Sequence, residues 1–179
     1  MELNISQQPT YDQAAVQPMR DELISVGFEE LITAQDVDNA LNNSSDEIVL
    51  VMINSVCGCA AGSARPGVTL ALQNNAIPDR FVTVFAGQEK AAAAHLRTKY
   101  LKDFTPSSPF IALMKNGEVL FTLQRFEIEG RSHQEIAIKL TDVFNRECKK
   151  QGPSIAPEDY DKLVSAVSCG SKIPKFSTN

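Results

Sequence analysis

Apolar residues along this chain change their spacing several times, and each change marks an element. The stretch from about Thr10 to Asn43 reads as helical. Pro18 suits the first turn of a helix through Val26, and Gly27 suits its C-terminal stop. Thr33-Ala34-Gln35-Asp36 has the form of a capping signal, followed by Val37, Ala40 and Leu41 at i, i+3, i+4 spacing. Residues 47–54, built on the apolar run Ile48-Val49-Leu50-Val51-Met52-Ile53, predict a strand. A helix follows to about Asn75, with a kink or short break at Pro66. Arg80 to Ala86 is a second strand, and residues 88–101 carry an alanine-rich helix. Phe110 to Met114 and Glu118 to Leu123 flank Lys115-Asn116-Gly117, and Asn-Gly between strand-like runs is the strongest short hairpin signal. Ser132 to Cys148 is a last core helix, with Ile136, Leu140, Val143 and Phe144 on one face.

From residue 47 the order is β-α-β-α-β-β-α. Strand–helix–strand requires a right-handed parallel crossover, and the hairpin adds an antiparallel pair. The expected architecture is α/β: a mixed four-stranded sheet flanked by helices, preceded by N-terminal helices. The domain spans residues 1–149. Residues 150–179 form a C-terminal extension with Pro153, Pro157 and Pro174 and one short helix from Pro157 to about Val167. It reads as an appended arm, dispensable for the chemistry.

At 179 residues the chain can bury a core of its own. Its net charge of −5 and lack of clustered Lys and Arg argue against nucleic acid as a partner. No apolar run approaches the roughly 18 residues of a membrane span. The N-terminus has neither the basic nor the apolar region of a secretory signal, so the expected address is the cytoplasm.

The chemistry lies in Cys57-Gly58-Cys59, where the first strand gives way to small, helix-compatible residues. A thiol at the first turn of a helix faces unpaired backbone N–H groups and the positive end of the dipole, and both stabilise the nucleophilic thiolate. Cys57, nearer the helix start, is the expected nucleophile. Cys59 is placed to attack a mixed disulfide formed on it. A disulfide across one residue closes a small ring whose strain Gly58 relieves only in part, which suits a passing oxidised state. The same cysteines read otherwise as buried structural residues or as two ligands of a metal or iron–sulfur carrier. Four ligands are usual for zinc, and only Cys148, Cys169, His95 and His133 remain to complete such a set.

The element order, the paired thiols, Pro66 nine positions after Cys57 and Ser108-Pro109 before the hairpin together resemble the thioredoxin fold. Closer still, Asn54-Ser55-Val56-Cys57-Gly58-Cys59-Ala60-Ala61-Gly62, Ala64-Arg65-Pro66, Val84-Phe85-Ala86-Gly87-Gln88, Pro106-Ser107-Ser108-Pro109 and Glu127-Ile128-Glu129-Gly130 resemble the bacilliredoxin signature. The likeness runs from about residue 11 to Cys148; the longer tail departs from it. It implies a cytosolic thiol–disulfide oxidoreductase, with isomerase-like activity in some members, that removes bacillithiol from mixed disulfides on client proteins without a metal or organic cofactor. It implies a cis Pro109 beside the cysteines, with Ser108 preceding it in the substrate segment. Arg65, otherwise a solvated helix residue, would attract the carboxylates of bacillithiol or another small thiol. His95 and His133 read as surface residues, Cys148 as a helix-end residue, and Ser107 and Ser108 as loop-shaping residues rather than nucleophiles.

Overall fold

The computed structural model describes residues 7–42, 45–168 and 170–177. The first helix, α1 (Gln13–Ile24), starts from Asp12, whose side chain accepts the Ala15 N–H. Because that cap lies well upstream of Pro18, the proline falls inside the helix and not in its first turn as expected. Gly27, at φ 104°, then turns the chain into a two-residue strand, β1 (Glu29–Glu30). The capping box of Thr33 and Asp36 opens α2 (Ala34–Leu41), which buries Val37, Ala40 and Leu41.

At the centre lies β2 (Ile48–Asn54), all of it buried. It runs parallel to β4 (Arg80–Phe85) and antiparallel to β5 (Phe110–Lys115), with Asn54 opposite Phe85 and Ile53 opposite Phe110. A hairpin adds β6 (Glu118–Leu123), with Asn116 and Gly117 both at positive φ as an Asn-Gly turn requires. The sheet order is β1-β4-β2-β5-β6, so the expected four strands are five. The fifth is β1, whose Glu29 and Glu30 lie opposite Val82 and Thr83. Two glutamates carry no apolar alternation; they become a strand because the open edge of β4 offers partners, and Arg80 holds Glu29 at 2.9 and 3.0 Å. The fold is thioredoxin-like.

Period-two alternation along β2 sorts its side chains between two cores. Leu50 and Met52 join Ile111, Leu113 and residues of α3 (Arg65–Ala71) and α6 (His133–Glu147), including Val68, Ile136 and Phe144. Val49, Val51 and Ile53 join Val82, Val84, α2 and α4 (Lys90–His95), with Leu96 in the wider π-helical turn Leu96–Tyr100 that continues α4. A Cβ on Gly67 would stand 2.7 Å from Ile136, so this glycine sets how closely α3 approaches α6. Pro66 does not break its helix. The turn ahead of it, Ala60–Ala64, widens to π-helical geometry, which accommodates a ring that would crowd the preceding α-helical carbonyl.

The extension is not a free arm. In β7 (Lys150–Gln151) it pairs with β3 (Ala76–Ile77), and the Ser154 N–H donates to the Leu72 carbonyl. Its helix, α7 (Pro157–Tyr160), is shorter than expected. The chain then passes over α1 and back to the N-terminal segment, where Asp12 N–H donates to the Pro174 carbonyl and Phe176 N–H to the Thr10 carbonyl. Ala166 and Ile173 complete a third apolar cluster with Val16, Met19, Val56 and Phe85. Pro157 opens α7 at its first position, and the amides of Ser154, Ala166 and Gly170 find partners in the domain. Cys169 lies outside the described residues.

Arg65, expected on the surface, is fully buried. Its Nε donates to Glu22 Oε2 at 2.8 Å, Nη1 to Asn54 Oδ1 and the Ser55 carbonyl, and Nη2 to the Ala166 carbonyl. The same Glu22 oxygen accepts the Ala166 N–H at 3.1 Å. Breaking a buried pair by removing one partner leaves an uncompensated charge, so Glu22→Ala is expected to cost about 3–5 kcal/mol in urea denaturation. The double variant Glu22→Leu/Arg65→Met, which removes both charges, is expected to recover much of that loss.

Candidate active site

The end of β2 delivers Asn54 and Ser55 into a short loop, and helical geometry begins at Gly58. Cys57 therefore takes the capping position. Its Sγ accepts the Ala60 N–H at 3.3 Å, where a serine or aspartate cap would place oxygen. Its carbonyl accepts the N–H groups of Ala60 and Ala61, both at 3.1 Å. The Ser55 hydroxyl donates to Cys57 Sγ at 3.1 Å, and Cys59 Sγ lies 2.7 Å away, the two residues being thiols rather than a disulfide.

Burial acts to raise the pKa of the Cys57 thiol. The bonds from Cys59, Ser55 and the Ala60 N–H, with the nearby Arg125 guanidinium, outweigh it, and the net displacement is downward. Cys59 goes the other way. Burial, the bond to Cys57 and repulsion from a Cys57 thiolate push it up to about 11. Cys59 is thus the proton donor of the pair. Both thiols are half-buried, open enough to be attacked and dry enough for these terms to count.

The Ser108–Pro109 peptide is cis, as the resemblance implied. The pairing of Ile53 with Phe110 sets this segment beside the end of β2, at the same edge from which the cysteines emerge. Pro109 is buried and Ser108 half-buried. A cleft of about 300 Å³ opens alongside, lined by Ser55, Val56, Ser108, Gly87, Tyr11 and Arg97. Tyr11 closes one wall because Gly87 leaves room for its ring; a Cβ there would meet the ring at 2.8 Å. From the extension, the Gly170 N–H reaches the Val56 carbonyl at 2.7 Å, one residue before Cys57.

Cys57, Cys59, Ser108 and Pro109 are thus gathered at one end of the sheet. Arg65 is not with them at the surface. Its donors hold the Asn54 side chain and the Ser55 carbonyl beneath the site, so it positions the loop and cannot meet a substrate from within the core. Cys148 is buried against the α3–α6 core, where burial, Asp79 and Glu147 push its pKa up to about 12. His95 is bonded to Asp38 at 2.8 Å. Among the described residues no three His, Cys, Asp or Glu side chains gather closely enough to share a metal ion. No helix among them is long and apolar enough to cross a membrane.

Three contributors had not been singled out from the sequence. Ser55 stands two residues before Cys57 and was readable as a polar break at the strand end. Arg97 and Arg125 carry no local signal, because only the fold brings them 30 residues or more along the chain to this end of the sheet.

Residues 11–148 match the model of the family described as disulphide isomerase. A bacilliredoxin of Salinibacter ruber is 45% identical over 161 residues, covering 89% of this chain and 93% of the relative. A bacilliredoxin of Staphylococcus aureus is 44% identical over 141 residues, covering 79% and 95%. Among solved structures, spinach chloroplast thioredoxin f aligns over 72% of this chain and 93% of its own, at 15% identity and a TM-score of 0.47. The chain belongs to the bacilliredoxin family and is a thiol–disulfide oxidoreductase of thioredoxin-like fold.

Proposed function

We propose that this protein removes bacillithiol from mixed disulfides on client proteins, with Cys57 as nucleophile and Cys59 as resolving thiol. The observation that carries the reading is the asymmetry of the pair: Cys57 Sγ receives the Ala60 N–H, the Ser55 hydroxyl and the Cys59 thiol, while Cys59 retains its proton. The Cys57 thiolate attacks the bacillithiol sulfur of the mixed disulfide. A Cys57–bacillithiol bond forms, and the client sulfur leaves as a thiolate that takes up a proton. Cys59, once deprotonated, attacks Cys57 Sγ; the Cys57–Cys59 disulfide forms and bacillithiol leaves as its thiolate. No electrons enter or leave the system in these two exchanges. Two further thiol equivalents of the cell then reduce the disulfide and leave as a disulfide of their own.

Ser108 and Pro109 line the approach of the client segment. The work belongs to residues 1–149 in the cytoplasm, with residues 150–179 as an extension bound to that domain. Relatives named bacilliredoxin, at 45% and 44% identity, support the substrate class. The metal- or iron–sulfur-carrier reading of the same pair predicts bound metal after anaerobic purification; the exchange reading predicts protein without it.

Incubation with a bacillithiol-blocked client tests the scheme. The intact protein is expected to release the client thiol and end as a Cys57–Cys59 disulfide. Cys59→Ser should release one equivalent and stop with bacillithiol on Cys57, seen by mass. Cys57→Ser should release none above background. Release by Cys57→Ser at the rate of the intact protein would overturn the assignment.

Ser55→Ala tests the thiolate. Loss of one hydrogen bond to the charged form raises the Cys57 pKa, so less thiolate is present at any pH below the raised value. The more basic thiolate is also the better nucleophile, which returns part of the loss. The expected net effect is about a threefold slower alkylation below the Cys57 pKa, and a faster one above the raised pKa, read from a pH profile of iodoacetamide labelling.

A further inference from the structure

Arg97 is a half-buried arginine with no carboxylate to answer its charge among the described residues. It stands in the π-helical turn Leu96–Tyr100, where it shares a small cavity with Ile53, Leu101, Phe104 and Phe110. Its Nη2 donates to the Ser107 carbonyl at 3.2 Å. Its Nε is buried and has no partner among the described residues. Burial alone displaces its pKa, downward, so no neighbouring anion there offsets the loss of solvent. The other two well-buried arginines are neutralised: Arg65 by Glu22, and Arg20 by Glu30 and Glu89. Holding a guanidinium out of water without a counter-charge costs stability, and this one borders the cleft lined by Ser55, Val56 and Ser108, whose Val56 immediately precedes Cys57.

We propose that Arg97 is a specificity-determining residue that binds the negatively charged end of the small thiol, so that the cleft selects carboxylate-bearing low-molecular-weight thiols over neutral and cationic ones. This rests on the reading above, in which Cys57 attacks the sulfur of the small thiol. In that step the small thiol becomes bonded to Cys57 and must lie in the space beside it. Ser55 belongs to both places: its hydroxyl touches Cys57 Sγ, and the residue lines the cleft. Arg97 borders the same cleft with Ser108 and Tyr11, and the planar guanidinium presents parallel N–H groups that match a carboxylate. Arg125, by contrast, acts on the sulfurs themselves, since its charge favours both thiolates.

One client protein with a single cysteine, blocked in turn by 3-mercaptopropionate, 2-mercaptoethanol and cysteamine, tests the assignment. The substrates differ only in the charge of the small thiol: negative, neutral and positive. Each kcat/KM is divided by the rate at which dithiothreitol cleaves the same disulfide, which removes intrinsic reactivity. The full-length protein is expected to prefer the anionic substrate over the neutral and the neutral over the cationic. Arg97→Gln should lose about tenfold or more on the anionic substrate and little on the others, collapsing the order. Arg97→Lys keeps the charge without the fork and should keep the order with a smaller preference. Equal slowing of all three substrates in both variants, or no order in the intact protein, would overturn the role of Arg97. Failure of the folded, intact protein to cleave any of the three would instead remove the exchange reading on which the proposal rests.

Discussion

A single buried guanidinium organises the region from which this protein acts. Arg65 is withdrawn from water completely, and a charge in that position is tolerable only while its hydrogen-bonding groups are answered. The answers come from four residues in three parts of the chain: Glu22 in α1, the Asn54 side chain and Ser55 carbonyl at the end of β2, and Ala166 in the extension. Moving any of them exposes the others to the cost. The path of the chain from β2 to Cys57 is thereby held by an interaction that involves neither cysteine.

What that rigidity secures is a difference between two thiols two residues apart. In isolation they would titrate alike, near the ordinary value for cysteine. The fold gives one of them the helix-capping position, a hydroxyl donor and a neighbour that gives up a hydrogen bond, while the other must donate. The downward and upward displacements of Cys57 and Cys59 are two consequences of one arrangement, because the proton shared at 2.7 Å stabilises the Cys57 thiolate by remaining on Cys59. The two thiols are distinguished by position relative to a helix start.

The extension takes part in the same arrangement. Ala166 answers both members of the buried ion pair, and Gly170 donates to the carbonyl of Val56 beside Cys57. The family model ends at residue 148, whereas the Salinibacter ruber relative aligns over 161 residues, so these contacts come from chain beyond the family model but not beyond the likeness to relatives. Arg97 comes from the opposite flank of the sheet, so the surroundings of the site draw on segments separated by more than a hundred residues.

Local chemistry and periodicity in the sequence determined the strand of β2, the capping box of α2, the Asn-Gly hairpin, the amphipathic face of α6 and the placing of Cys57 at a helix start. Each depends on residues within a few positions of one another, where backbone preference and burial pattern act together. Tertiary structure decided what depended on distant partners. Glu29 and Glu30 became a strand because the edge of β4 was open to them. Pro18 was carried inside a helix because Asp12 capped it earlier. Arg65, polar and in a sequence position that suggested solvent, was drawn into the core because Glu22, 43 residues away, met it there. Arg97 acquired its place beside the cleft only when the crossover from β4 set α4 against the sheet. A charged side chain carries no label for its partner, and the long-range pairing that settles whether it is buried, bonded or free for substrate exists only once the chain has folded.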